Sequence, residues 1–247
     1  MKTKLFILLS LIIITGCEDS DKLAYETFNF SSEKCANCPE VSISFPKCTT
    51  ATKISETINT SIQEEIISQL NYEDEIETNS IEKAANTFKE KFTEFSQKFP
   101  DETVSWEATI KGSVLYEDMN TITIELNTYI FTGGAHGYTS ITYLNFDKKK
   151  STELENWELF KDKDLFLAFL ETKFKIQENI PQDKSINSTG FMFENDTFHL
   201  PENIGFTKKG LQFIYNPYEV ASYVDGPVTI TIPYNQINSY LSVKTKN

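Results

Sequence analysis

The sequence predicts an α+β fold with mainly antiparallel sheet and three main helices. Three observations carry that expectation. Runs of alternating apolar and polar residues recur in pairs, as half-buried strands do. Three longer stretches instead repeat apolar residues at helical spacing and interrupt those pairs, rather than alternating with single strands. At 247 residues the chain is also long enough for one large domain or two small ones with a proper core.

In chain order, Tyr25 to Ser32 and Val41 to Phe45 alternate and read as strands, the second ended by Pro46. Ile54, Ile58, Ile62, Ile66 and Leu70 place one apolar stripe on a first helix. After an acidic loop, Tyr72 to Thr78, the pair Asn79 and Glu82 resembles a capping box. It opens a second helix with Ile81, Phe88, Phe92, Phe95 and Phe99 on one side and Pro100 past its end. Strands are expected over Val104 to Tyr116 and Thr121 to Phe131, joined by a tight turn through Glu117 to Asn120. A Gly133-Gly134-Ala135-His136-Gly137 connection leads into a strand over Tyr138 to Phe146, and Lys148, Lys149 and Lys150 follow as a solvated turn. A third helix is expected from Asp162 to Glu178 with Leu165, Phe166, Phe169, Leu170 and Phe174 inward, then an exposed loop from Ile180 to Thr189. Short strands near Gly190 to His199, Ile204 to Tyr215 and Val228 to Ile232 precede a final short helix over Asn235 to Leu241.

The N-terminus speaks about location. Lys2 and Lys4 precede an apolar run from Leu5 to Ile14, too short to span a bilayer as a mature helix, and Ile14-Thr15-Gly16-Cys17 ends it. This resembles a bacterial lipobox. Residues 1–16 are expected to be a cleaved signal peptide, Cys17 the lipidated first residue, and 17–24 a polar tether. The expected setting is the cell envelope, in outer-membrane lipoprotein fashion.

The whole chain carries a net charge of −13; losing residues 1–16 removes two lysines and no acids, leaving 21 basic against 36 acidic residues and a net of −15. Such a surface repels nucleic acid and attracts cationic partners. Cys35, Cys38 and Cys48 are the disulfide candidates in an oxidising compartment; the odd number leaves one thiol over. Cys35-x-x-Cys38 has no second pair to complete a zinc site, so no metal and no cofactor are expected.

Enzyme templates find little purchase. No Gly-x-Ser-x-Gly, His-Glu-x-x-His or phosphate-binding Gly-x-x-x-x-Gly-Lys motif occurs, and the chain has two histidines, His136 and His199. No catalytic residue is assigned. Two stretches stand out as recognition candidates. One is the glycine connection, where Gly133 and Gly134 give the backbone unusual freedom around His136, with Tyr138 just beyond. The other is the tyrosine-rich segment from Phe213 to Tyr223, whose Tyr218 and Tyr223 offer flat apolar faces with polar tips.

Thr132-Gly133-Gly134-Ala135-His136-Gly137, Tyr143-Leu144-Asn145-Phe146-Asp147, the run from Phe213 to Ala221, and Ile232-Pro233-Tyr234 together resemble a known extracytoplasmic domain. It is the domain of RsiV-type anti-sigma factors, which sense lysozyme. The preceding part resembles its usual N-terminal companion, found beside the catalytic domain of PdaC-type peptidoglycan deacetylases. The resemblance implies two consecutive α+β subdomains, 25–131 and 132–247. It implies an envelope binding module for lysozyme, another cationic wall-active protein, or peptidoglycan glycan, with Gly133, Gly134, His136, Tyr138, Tyr218 and Tyr223 as ligand-binding candidates. The alternatives are a peptidoglycan- or glycan-processing hydrolase using His136 with a carboxylate, and a purely structural envelope component.

Overall fold

The structure, a computed structural model, describes residues 22–33, 38–71, 78–102 and 104–243. Among the described residues, nine strands and three substantial helices form an α+β architecture of two sheets. Strands β1 (Tyr25–Ser31), β2 (Glu40–Cys48), β3 (Glu107–Glu117), β4 (Thr121–Phe131), β5 (Tyr138–Asp147) and β6 (Thr152–Leu154) form a six-stranded sheet in sequence order. All neighbours are antiparallel except β2 and β3, which run parallel because helices α1 (Lys53–Leu70) and α2 (Ile81–Lys98) cross between them. Strands β7 (Asn203–Thr207), β8 (Gly210–Tyr215) and β9 (Val228–Ile232) make a three-stranded antiparallel sheet, which helix α3 (Lys163–Gln177) covers. The one-turn α4 (Tyr234–Ile237) closes the chain.

Each sheet has its own core. The isoleucine stripe of α1, with Ala84, Ala85 and Phe88 of α2, packs on Val41, Ile43, Ile110, Ile124, Leu126 and Phe146. Phe166, Leu170 and Phe174 of α3 pack on Phe206, Leu211, Phe213 and Tyr215, an aromatic core whose rings meet edge-on or stacked. The expected division at 131/132 falls inside the first sheet. Ten register pairs join β4 to β5 across it, and Leu144 and Phe146 of β5 belong to the first core.

The sheets meet through side chains that substitute for strand pairing. Thr123 Oγ1 donates to Asn145 Oδ1 at 2.7 Å on the six-stranded sheet, both side chains being buried. Asn145 Nδ2 then donates to the Ile204 carbonyl at 2.6 Å, and Thr123 Oγ1 accepts the Phe206 N–H at 3.2 Å. These are backbone groups on the side of β7 that faces away from β8, and burial without partners would cost them dearly. The Tyr143 ring lies against Gly205, where a Cβ would stand 2.6 Å from a ring carbon. A second splice closes β5. Beyond its pairing with β6, the outer side of this strand meets Asn216, whose amide accepts the Ile141 N–H at 2.9 Å and donates to the Ile141 carbonyl at 3.0 Å. Asn203 Oδ1 accepts the Tyr143 N–H at 3.3 Å.

Several expectations need correction. Strand β2 runs through Pro46, which pairs with Thr27; pairing to β3 has already ended at Ser44, so no donor is required on that side. The N-cap of α2 is Ser80, not Asn79, with the Ser80 hydroxyl bonded to Glu82. Leu165 on α3 is 60% exposed, because the inward stripe is Phe166, Leu170 and Phe174. The segment 180–189 is a largely exposed loop, as expected, but two of its residues anchor it. Ile180 and Ile186 are buried, and Lys175 of α3 donates to the Lys184 carbonyl at 2.9 Å while pairing with Glu171 at 3.0 Å. No strand forms over 190–199, where Asn195 and Asp196 take left-handed backbone conformations and Asn187 bonds both Phe193 N and Phe193 O. Lys148 is the reverse of a solvated lysine. Its side chain is 9% exposed and pairs with Glu117 at 2.9 Å.

Glu153 on β6 yields a prediction. Burial pushes its carboxyl above the ordinary 4.5, the Glu155, Glu65 and Glu64 carboxylates add to the shift, and a Ser61 hydroxyl opposes it. A carboxyl raised by folding favours the native state most at low pH and loses that advantage as pH rises through its raised value. Glu153→Gln should therefore melt higher than the parent at pH 7, with the gain disappearing below pH 4.5. Melting curves across that range check it; an equal gain at every pH would count against it.

Candidate functional site

The β4–β5 connection and the tyrosine segment, some eighty residues apart in sequence, meet at one end of the six-stranded sheet. Gly133 and Gly134 take φ of +106° and +84°, which a side chain would strain, and so turn the chain sharply after β4. Gly137 is needed for a different reason: a Cβ there would run into the Tyr129 ring. The turn holds His136 outward in an exposed position.

His136 packs its ring flat on Tyr223, with centroids 3.9 Å apart and planes 14° from parallel. Tyr223 stacks in turn on Tyr218 at 5.5 Å. The three rings form a ladder pinned by hydrogen bonds. Tyr223 Oη donates to the Gly137 carbonyl at 2.8 Å, and His136 Nδ1 lies 3.0 Å from the same oxygen. Tyr138 Oη donates to the Pro217 carbonyl at 3.4 Å. Tyr218 has φ of +73° and is 59% exposed, so its strained backbone presents the ring to solvent. Val224, 93% exposed, extends the apolar surface.

Beside the ladder, on the helix-covered face of β4 and β5, lies a cleft of about 410 Å³. Ile130 and Tyr138 supply apolar walls, while Thr128, Ser140 and Gln69 of α1 supply polar groups. Gln69 is locked in place. Its amide donates to Glu65 at 2.7 Å and Thr142 at 3.1 Å, and its carbonyl accepts the Thr128 hydroxyl. Two acids, Glu219 and Glu202, stand near Tyr138 outside the cleft's lining. Glu219 accepts N–H bonds from Asn216 at 2.8 Å and Glu202 at 3.1 Å, and burial raises its carboxyl despite them. Burial also raises the Tyr138 phenol, helped by Glu219 and Glu202.

All six ligand-binding candidates thus fall in one place. Gly133, His136 and Tyr138 line the cleft, Gly134 turns the backbone beside it, and Tyr218 and Tyr223 build the ladder. Gln69, Thr128 and Ser140 were not anticipated, since nothing in a helical glutamine announces contact with a strand sixty residues away. His199, the other histidine, sits edge-on to Phe193 at 5.3 Å, and the Tyr215 hydroxyl donates to its carbonyl at 2.5 Å. Among the described residues no carboxylate bonds or pairs with His136, and no group of three metal-binding side chains occurs. Cys38 is disulfide-bonded and Cys48 is a buried free thiol; Cys17 and Cys35 lie outside the described residues.

The family model described as Deacetylase PdaC matches residues 32–139, and that described as Protein of unknown function (DUF3298) matches residues 157–235. The chain thus carries a stretch similar to PdaC followed by one similar to DUF3298. Two solved structures carry the same fold. A DUF3298 family member from Bacteroides fragilis superposes with a TM-score of 0.69 at 20% identity, covering 90% of this chain and 96% of that one. A DUF3298 family protein from Pseudomonas aeruginosa gives 0.64 at 19% identity, covering 90% and 95%. At such identities the likeness speaks for the fold. Curated proteins gave no match. The site spans the two matches: the His136 turn closes the PdaC-like part, and Tyr218 and Tyr223 come from the DUF3298 part.

Proposed function

We propose that this protein is an extracytoplasmic binding module, held in the cell envelope by lipid on Cys17, whose ligand is a cationic wall-active protein such as lysozyme. The observation that carries the reading is the His136–Tyr223–Tyr218 ladder. Tyrosines are enriched among the energetic centres of protein interfaces, and here Tyr218 is exposed and Tyr223 half-buried beneath it. Around them Glu202 and Asp225 are exposed, and the whole chain has a net charge of −13, which speeds encounter with a basic partner.

The test is calorimetric titration of lysozyme into the lipid-free chain at low and high ionic strength. Binding should survive salt, and Tyr223→Ala should lose about 2 kcal/mol. Attraction by charge alone would vanish at high salt, since exposed charges are screened beyond about 8 Å under physiological conditions. That outcome would remove lysozyme as the ligand. A wall glycan is the second reading, favoured by the cleft and its immobilised Gln69 amide. It requires muropeptides to bind the chain and Gln69→Ala to weaken them.

A further inference from the structure

At the other end of β5, nine residues and about 30 Å from the His136 turn, lies a larger groove of about 720 Å³. Its rim carries Lys149, Lys150, Lys161 and Lys163, all exposed, in a chain that is otherwise strongly acidic. The lining includes two carboxylates, and both are engaged. Asp147 Oδ1 accepts the N–H groups of Lys149 at 2.9 Å and Lys150 at 3.0 Å, and its other oxygen lies 3.8 Å from the Lys150 ammonium. Glu158 Oε2 accepts the Glu155 N–H at 3.0 Å. Lys149, Lys161 and Lys163 form no ion pair with a described residue.

Trp157 lies in the same lining and is 64% exposed. Its backbone is nevertheless fixed. The Asn156–Leu159 turn is closed by reciprocal Glu155 and Glu158 bonds, Asn156 Nδ2 donates to the Glu202 carbonyl at 2.5 Å, and Leu159 is fully buried. An indole on a fixed backbone, facing solvent beside several cations, offers a stacking platform with countercharges. Leu154 and Phe160, both buried, form the apolar base.

We propose that this groove is a second binding site, for an acidic oligosaccharide whose sugar ring stacks on Trp157 and whose carboxylates meet the lysines. The volume lies within the range of ligand-binding clefts. All 23 basic residues of the chain are lysines, which act as point charges rather than oriented forks. The net charge of −13 repels a long polyanion such as nucleic acid along its length, whereas a short oligosaccharide feels chiefly the local groove. The proposal does not depend on the aromatic ladder or on what binds there.

The test is titration calorimetry on the full chain with three probes: tetragalacturonate, neutral maltotetraose, and the oligonucleotide dT8. Tetragalacturonate should bind, and maltotetraose should bind about tenfold more weakly or not at all. Lys161→Gln with Lys163→Gln should weaken tetragalacturonate about tenfold, and Trp157→Ala should weaken it with no change in melting temperature. In the parent chain, indole fluorescence should respond to tetragalacturonate and the response should be absent from Trp157→Ala, because Trp106 is packed among Phe88, Phe92 and Phe95. Absence of tetragalacturonate binding overturns the proposal, as does binding indifferent to these variants or matched by maltotetraose. Tighter binding of dT8 through the same residues reassigns the groove to single-stranded nucleic acid.

Discussion

Lys148→Met should destabilise the protein by about 3–5 kcal/mol, the typical cost of leaving one partner of a buried ion pair uncompensated. The Lys148 and Glu117 side chains are 9% and 18% exposed and lie 2.9 Å apart. Lys148 also donates to the Asp118 carbonyl at 3.0 Å, and its own N–H reaches the Asn120 carbonyl at 2.8 Å. The pair therefore ties the β3–β4 turn to the end of β5. Removing the ammonium leaves the Glu117 carboxylate facing Tyr25 and Cys48, both of whose ionisable groups it already pushes upward after the larger effect of burial. Denaturant melts measure the loss. The double variant Lys148→Met with Glu117→Gln should recover most of it, since no charge then remains unpaired. A single-variant cost below about 1 kcal/mol would mean that the pair behaves like an exposed one.

Gly210→Ala should cost on the order of 3 kcal/mol or more, through strain and a clash together. Gly210 opens β8 with φ of +149°, and a Cβ there would meet the Ile232 carbonyl group, 2.7 Å from its carbon, and Pro233 Cα at 2.9 Å. Both obstacles are backbone at the end of the neighbouring β9, so no rotamer change can relieve them. Gly133→Ala is the matched control. Its φ of +106° is unfavourable for alanine, yet nothing lies within 4 Å of the added carbon. It should cost only the conformational penalty, about 1–2 kcal/mol. Equal losses in the two variants would refute the role of crowding.

Local pattern made much of this fold readable. Four isoleucines and Leu70 of α1 recur every four residues because the helix has one buried face, and all five are under 7% exposed. Strict alternation located β9, and apolar runs bounded by turn residues located β4 and β5. Failures came where a distant segment set the environment. Leu165 looks like a stripe member, but its neighbour Phe166 takes the inward place against Phe160 and Phe213. Lys148 looks like its two lysine neighbours until Glu117 arrives from β3.

The site shows the same division. Glycines and tyrosines marked both loops, since positive φ and exposed aromatic faces leave signatures in composition. Their convergence depends on Asn216, an ordinary loop residue by sequence, whose side chain docks on Ile141. Gln69 was unreadable for the same reason: its partners Thr128 and Thr142 lie on strands far along the chain.

Those asparagines have a consequence for self-association. Between Tyr138 and Leu144 the outer side of β5 has no strand beside it among the described residues, and such a row of unpaired amides and carbonyls is a template on which a second chain can polymerise. Here Asn216 and Asn203 occupy it with three side-chain hydrogen bonds. Many β-proteins guard such a row with charge or proline; this one uses amide side chains that imitate a missing peptide. Fibril-like growth from this strand must first displace both asparagines.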